Sequence, residues 1–93
     1  EMANNLFVTY DLIRNKDYEA VHEAIKALGN WAKVTESNWY VNSNYTASQA
    51  FDIVKKSIDS DDKLIVVDAS NNSAAWINLA PEVPEFIKDQ WLK

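Results

Sequence analysis

Apolar and polar positions alternate from residue 6 to residue 12. Leu6, Val8, Tyr10 and Leu12 fall on one side, and Phe7, Thr9 and Asp11 on the other. A period of two predicts a strand. The period then lengthens: Tyr18, Val21, Ile25 and Leu28 recur at helical spacing after Asp17, a residue type that caps helix starts. Gly29, the single glycine, stands where a helix end favours left-handed backbone. Residues 31–35 and 37–42 are rich in aromatic and β-branched side chains, predicting two strands about a tight turn at Glu36. Thr46 and Gln49 are spaced as a capping box, followed by the stripe Ala47, Ala50, Phe51, Val54 and Ile58. That second helix runs into Asp59-Ser60-Asp61-Asp62, where carboxylates would oppose the helix dipole. Residues 63–69 predict a fourth strand, apolar on both faces. A polar loop follows at 70–73, then a short strand at 74–79. A last helix at 84–92 carries Phe86, Ile87 and Trp91.

The order β-α-β-β-α-β predicts an α+β, ferredoxin-like domain. Its sheet runs four-one-three-two, all antiparallel, with both helices on one face and a short strand and helix added at the C-terminus. Residues 5–93 form one domain, with a core at 5–69 and an extension at 70–93. The helix-facing set is expected to be Leu6, Val8, Tyr10, Leu12, Trp39, Val41, Ile65 and Val67. The open face then carries Phe7, Thr9, Asp11, Asn38, Tyr40, Asn42, Leu64 and Val66. That face is half apolar and calls for a cover. Phe7, Tyr40, Leu64 and Val66 are the expected interface residues, joined by Trp76 and Trp91 from the tail, since aromatics often anchor partners.

Charge narrows the partners. The chain of 93 residues has 14 acidic and 9 basic side chains, a net charge of −5. That disfavours a broad nucleic-acid face, whose affinity comes from Lys and Arg on phosphates. With no Cys, disulfides and thiolate metal sites are excluded, and the chain suits a reducing cytoplasm. No apolar run is long enough to span a membrane.

Asp11 is the candidate catalytic residue. As a metal ligand it needs further oxygens, which Asp61 and Asp62 or a second copy of Asp11 could supply to Mg2+ or Mn2+. The alternative is a strand-end carboxylate bonding to nearby backbone amides. The topology places Asp11 at one end of the sheet and Asp68 at the other, so the two do not form a pair. Phe7 and Tyr40 could stack bases as an RNA-binding sheet does, but strand three lacks the basic, glycine-containing pattern. His22, the one histidine, flanks the first helix stripe with no nucleophile in a recognisable motif. Otherwise the residues name no cofactor.

The segments LFVTYDL, WAKVTESNWYV, TASQAFDIVKKSI and DKLIVVDAS, with AAW at 74–76, resemble the small CRISPR-associated adaptation nuclease family. The likeness covers about residues 5–79. It is strongest toward the small SinR-like bacterial and phage relatives and weaker toward VapD-like toxins. It implies a ferredoxin-like homodimer joined partly through C-terminal strands, with Asp11 binding a divalent metal near the dimer axis. Nuclease members usually carry several Arg or Lys after strand one. Here Arg14 and Lys16 are followed by acidic residues. Three functions follow as expectations. The first is a non-catalytic, dimeric interaction protein with a possible protein partner. The second is a metal-dependent nuclease acting at Asp11. The third is a toxin or anti-defence protein that acts by binding.

Overall fold

A computed structural model describes residues 3–13 and 18–90. The chain is α+β, with a five-stranded antiparallel open sheet and three helices. The strands are β1 (Asn4–Asp11), β2 (Gly29–Thr35), β3 (Asn38–Ser43), β4 (Lys63–Asp68) and β5 (Ser73–Ile77). The helices are α1 (Glu19–Lys26), α2 (Ala47–Lys55) and α3 (Glu82–Gln90). The sheet order is β2-β3-β1-β4-β5. The expected sequence of four strands lies within it, and β5 extends the sheet beyond β4 rather than leaving a four-stranded sheet.

The core forms between the sheet and helices α1 and α2. Leu6, Val8 and Tyr10 of β1 and Trp39 and Val41 of β3 are buried there with Val21 and Ile25 of α1 and Ala47, Ala50 and Val54 of α2. From β4 the core takes Leu64 and Val66, both fully buried. This reverses the expected facing of β4: Ile65 and Val67, not Leu64 and Val66, lie on the open face. The ladder requires it, because Val8 pairs with Val66 and Tyr10 with Leu64, and directly paired residues share a face.

Two polar ends fix that register. Asp68 is buried, and its Oδ1 accepts the amides of Ser70 (2.9 Å) and Asn71 (3.1 Å), closing the β4–β5 turn. Asp62 is fully buried at the other end. Its Oδ1 accepts the Ile13 amide at 2.9 Å and its Oδ2 the Asp59 amide at 2.8 Å. The acidic turn therefore does not oppose α2. That helix has ended at Lys55, and the turn is organised by one of its own carboxylates. Asn78, in left-handed backbone at φ 65, donates to the carbonyls of Ser60 (2.7 Å) and Asp62 (2.6 Å) and ties the end of β5 to the same turn. Asn tolerates that conformation better than most residues.

The capping box of α2 is present in both directions: Thr46 Oγ1 accepts the Gln49 amide at 3.0 Å, and Gln49 Oε1 accepts the Thr46 amide at 2.9 Å. The expected Asp17 cap lies outside the described residues. Tyr18 holds the cap position of α1 and makes no side-chain capping bond. Gly29 is not a left-handed helix cap. It opens β2, and no glycine has positive φ. Its missing side chain answers a contact instead: a Cβ there would lie 2.2 Å from the Asn42 carbonyl oxygen. In α3, Pro84 falls in the first turn, where a missing N–H forfeits no helical bond.

Candidate functional site

The open face of the sheet carries an apolar surface that α1 and α2 leave uncovered. Strand pairing sets Phe7 between Tyr40 and Val67, Thr9 between Asn38 and Ile65, and Ile65 beside Trp76. Phe7 is 37% exposed, while Tyr40, Ile65, Val67 and Trp76 are half-buried. The Phe7 and Tyr40 rings pack on each other, with centroids 5.5 Å apart and planes at 54°. They present one joined aromatic surface rather than two separate stacking platforms. The apolar band is bounded by short polar pairs. Tyr40 donates to Asn5 Oδ1 at 2.7 Å on one side, and Thr9 donates to Asn38 Oδ1 at 2.8 Å on the other. Helix α3 meets this face at its β5 margin, where the Lys88 ammonium lies 5.9 Å from the Trp76 ring centroid. None of the α3 residues is buried, and Phe86 is 67% exposed.

Of the expected interface residues, Phe7, Tyr40 and Trp76 lie on this face. Leu64 and Val66 do not, since both are sealed in the core and unable to touch a partner. Trp91 lies outside the described residues. Ile65 and Val67 belong to the face and were missed. The run Leu64-Ile65-Val66-Val67 is apolar throughout, so alternation alone gives no facing.

The candidate metal ligands do not all fall in one group. Asp11 is exposed on the open face at the end of β1, across the ladder from Lys63. Asp62 continues the alternation of Leu64 and Val66 on the helix side, and both its oxygens accept backbone amides. Among the described residues, the carboxylates that gather are Asp59, Asp61 and Asp62, with ligand oxygens within 4.8 Å of one another. Asp61 and Asp62 thus group with Asp59, and Asp11 is not in that group. This group has the oxygen chemistry for a hard divalent cation, but the Asp62 carboxylate already holds the turn. Asp11 and Asp68 sit at opposite ends of the sheet, as expected: Asp68 pairs with Leu6, five residues of strand from Asp11, about 16 Å.

His22 is better connected than its sequence position implied. The Tyr10 hydroxyl lies 2.7 Å from His22 Nε2 and 2.7 Å from the Glu36 carbonyl oxygen. The carbonyl can only accept, so it takes the phenolic proton, and an N–H at Nε2 then completes the pair. The His22 ring lies among Tyr10, Tyr18 and Trp39, with centroids 6.1, 6.0 and 4.9 Å away. Trp31 extends the cluster, 5.3 Å from Trp39 and beneath the Lys26 ammonium at 4.9 Å. Burial is the main cause that raises the Tyr10 pKa above 10.0. The Trp39 indole opposes the rise, and the charges of Tyr18 and Glu36 add to it. Although the Trp39 N–H acts on Tyr10, it reaches no hydrogen-bond partner among the described residues. The cluster ties α1 to the β2–β3 turn.

Among the described residues, no helix is long and apolar enough to cross a membrane. Compared with known proteins, the chain matches no family model, no curated protein and no solved structure.

Proposed function

We propose that this is a small, non-catalytic interaction protein that works as a homodimer through the open face of its sheet. One observation carries the reading: the band of Phe7, Tyr40, Ile65, Val67 and Trp76 lies on the side of the sheet opposite α1 and α2. Five strands at their usual spacing and about six residues each make a face of roughly 24 by 20 Å. Two such faces, packed about 10 Å apart, withdraw on the order of 1,000 Å² from water, the lower limit for a specific interface. The band carries no charge at its centre, so self-contact brings no like charges together there.

The resemblance to the small adaptation-nuclease family supports the same reading at a finer level. On it, the domain is a ferredoxin-like β-α-β-β-α-β unit extended by β5 and α3, cytoplasmic and of bacterial or phage origin. A toxin or anti-defence role by binding would use the same face. Nuclease chemistry has less support: Asp11 is not part of the Asp59, Asp61 and Asp62 group, and the net charge of −5 opposes a phosphate backbone. Light scattering on the eluting protein tests the proposal. The expected mass is about twice the 10.6 kDa of one chain, with Phe7→Glu eluting as a folded monomer. A wild-type monomer at all concentrations overturns it.

A further inference from the structure

The geometry points to a binding site for an uncharged nucleobase, carried as a neutral nucleoside, at the end of the sheet where β2 starts and β3 ends. A cleft of about 560 Å³ opens there, within the range of small-molecule sites. It is lined by Asn30, Asn42, Asn44, Gln49 and Tyr45, around the bare backbone of Gly29. A quarter of this chain is charged, yet among the described residues none that lines the cleft is charged.

Much of the hydrogen-bonding capacity of these groups is unspent. No partner among the described residues engages the Asn30 and Asn44 carboxamides or the Tyr45 hydroxyl. Gln49 commits its oxygen to the Thr46 amide and keeps its NH2. Asn42 Nδ2 reaches Asn5 Oδ1 only at 3.5 Å, too long for a strong bond. A carboxamide places one donor and one acceptor side by side in a plane. That arrangement matches the donor–acceptor edge of a base, as Asn and Gln do with adenine. Tyr45 is 40% exposed and supplies an aromatic face on which a base can stack. Among the described residues no cation lines the cleft, an arrangement that favours an uncharged ligand over a phosphorylated one.

Adenosine titrated into the 93-residue chain, followed by amide NMR, tests the site. The expected result is saturable shifts of the Asn30, Asn44 and Gln49 side-chain NH2 signals and the Gly29 amide. AMP should bind more weakly. Asn30→Ala and Asn44→Ala should each weaken adenosine about three- to tenfold, the range for one lost hydrogen bond. Both positions are exposed, so the sheet amides serve as the check that each variant is folded. No shift up to the solubility limit overturns the inference. So does an equal response to glucose, or binding undiminished in both folded variants.

Discussion

Replacing Asp62 with Ala removes the carboxylate that joins the exit of β1 to the turn before β4. Two amides lose their acceptor, those of Ile13 at 2.9 Å and Asp59 at 2.8 Å. Each buried donor left without a partner costs about 1–3 kcal/mol. Ile13 and Asp59 belong to exposed segments, so their amides can turn partly to water. That places the loss in the lower part of the summed range, about 2–3 kcal/mol. A chain of 93 residues has roughly 5–14 kcal/mol of stability in all. The variant folds but is visibly weakened. Urea unfolding followed by tryptophan fluorescence is the assay. With a slope near 1–1.5 kcal/mol/M, the midpoint should fall by about 2 M at unchanged slope. Asp62→Asn keeps one acceptor and turns its NH2 toward the other amide, so it should lose about 1–2 kcal/mol. The same differences are expected with Mn2+ or with a chelator, because the two carboxylate oxygens bind backbone. A loss under about 0.5 kcal/mol, the size of an ordinary surface change, would refute the structural role. A loss present only when Mn2+ stabilises the wild type would return Asp62 to the metal ligands.

Three further perturbations probe separate links. Leu64→Ala should cost about 2–5 kcal/mol as a core truncation, while Ile65→Ala on the open face costs clearly less in the monomer; equal losses by urea titration would contradict the assigned facing of β4. Gly29→Ala drives a Cβ toward the Asn42 carbonyl at 2.2 Å and should cost about 1–3 kcal/mol as overpacking; a neutral thermal melt would mean that β2 can move away from β3 freely. The Tyr10 pKa is raised in the fold, so the neutral phenol is the form the native state favours. Its contribution is complete below pH 10 and is lost as pH rises through the folded pKa. The urea midpoints of wild type and Tyr10→Phe should therefore converge above pH 10, and a constant gap from pH 8 to pH 11 would contradict the linkage.

The elements were legible where local pattern and fold agree. The β1 alternation and the Thr46–Gln49 box stand as local chemistry predicts, and the tight turn at Glu36 is found with Ser37 in the turn rather than in the strand. The facing of β4 was not legible, for an identifiable reason. Its four central residues are all apolar, so only the flanking residues could set its parity. Those are Asp62 and Asp68, which look like surface carboxylates and are in fact buried acceptors for turn amides. Gly29 misled in a similar way, because its position after a helix stripe matches a cap while the actual constraint is the Asn42 backbone across the ladder. His22 gave no sign of Tyr10, whose hydroxyl reaches it only once β1 and α1 pack. The same error in β4 hid half the apolar band: Ile65 and Val67 complete the open face that Phe7 and Tyr40 begin.

Intermolecular contact across that face is the most direct test of the proposed function. Isotope-filtered NMR on a mixture of labelled and unlabelled chains reports only contacts between copies. The account predicts cross-peaks linking the Ile65 and Val67 methyls of one copy to the Phe7, Tyr40 or Trp76 rings of the other. Intermolecular peaks from the exposed edge strand β2 alone, or no such peaks at any concentration, would contradict it.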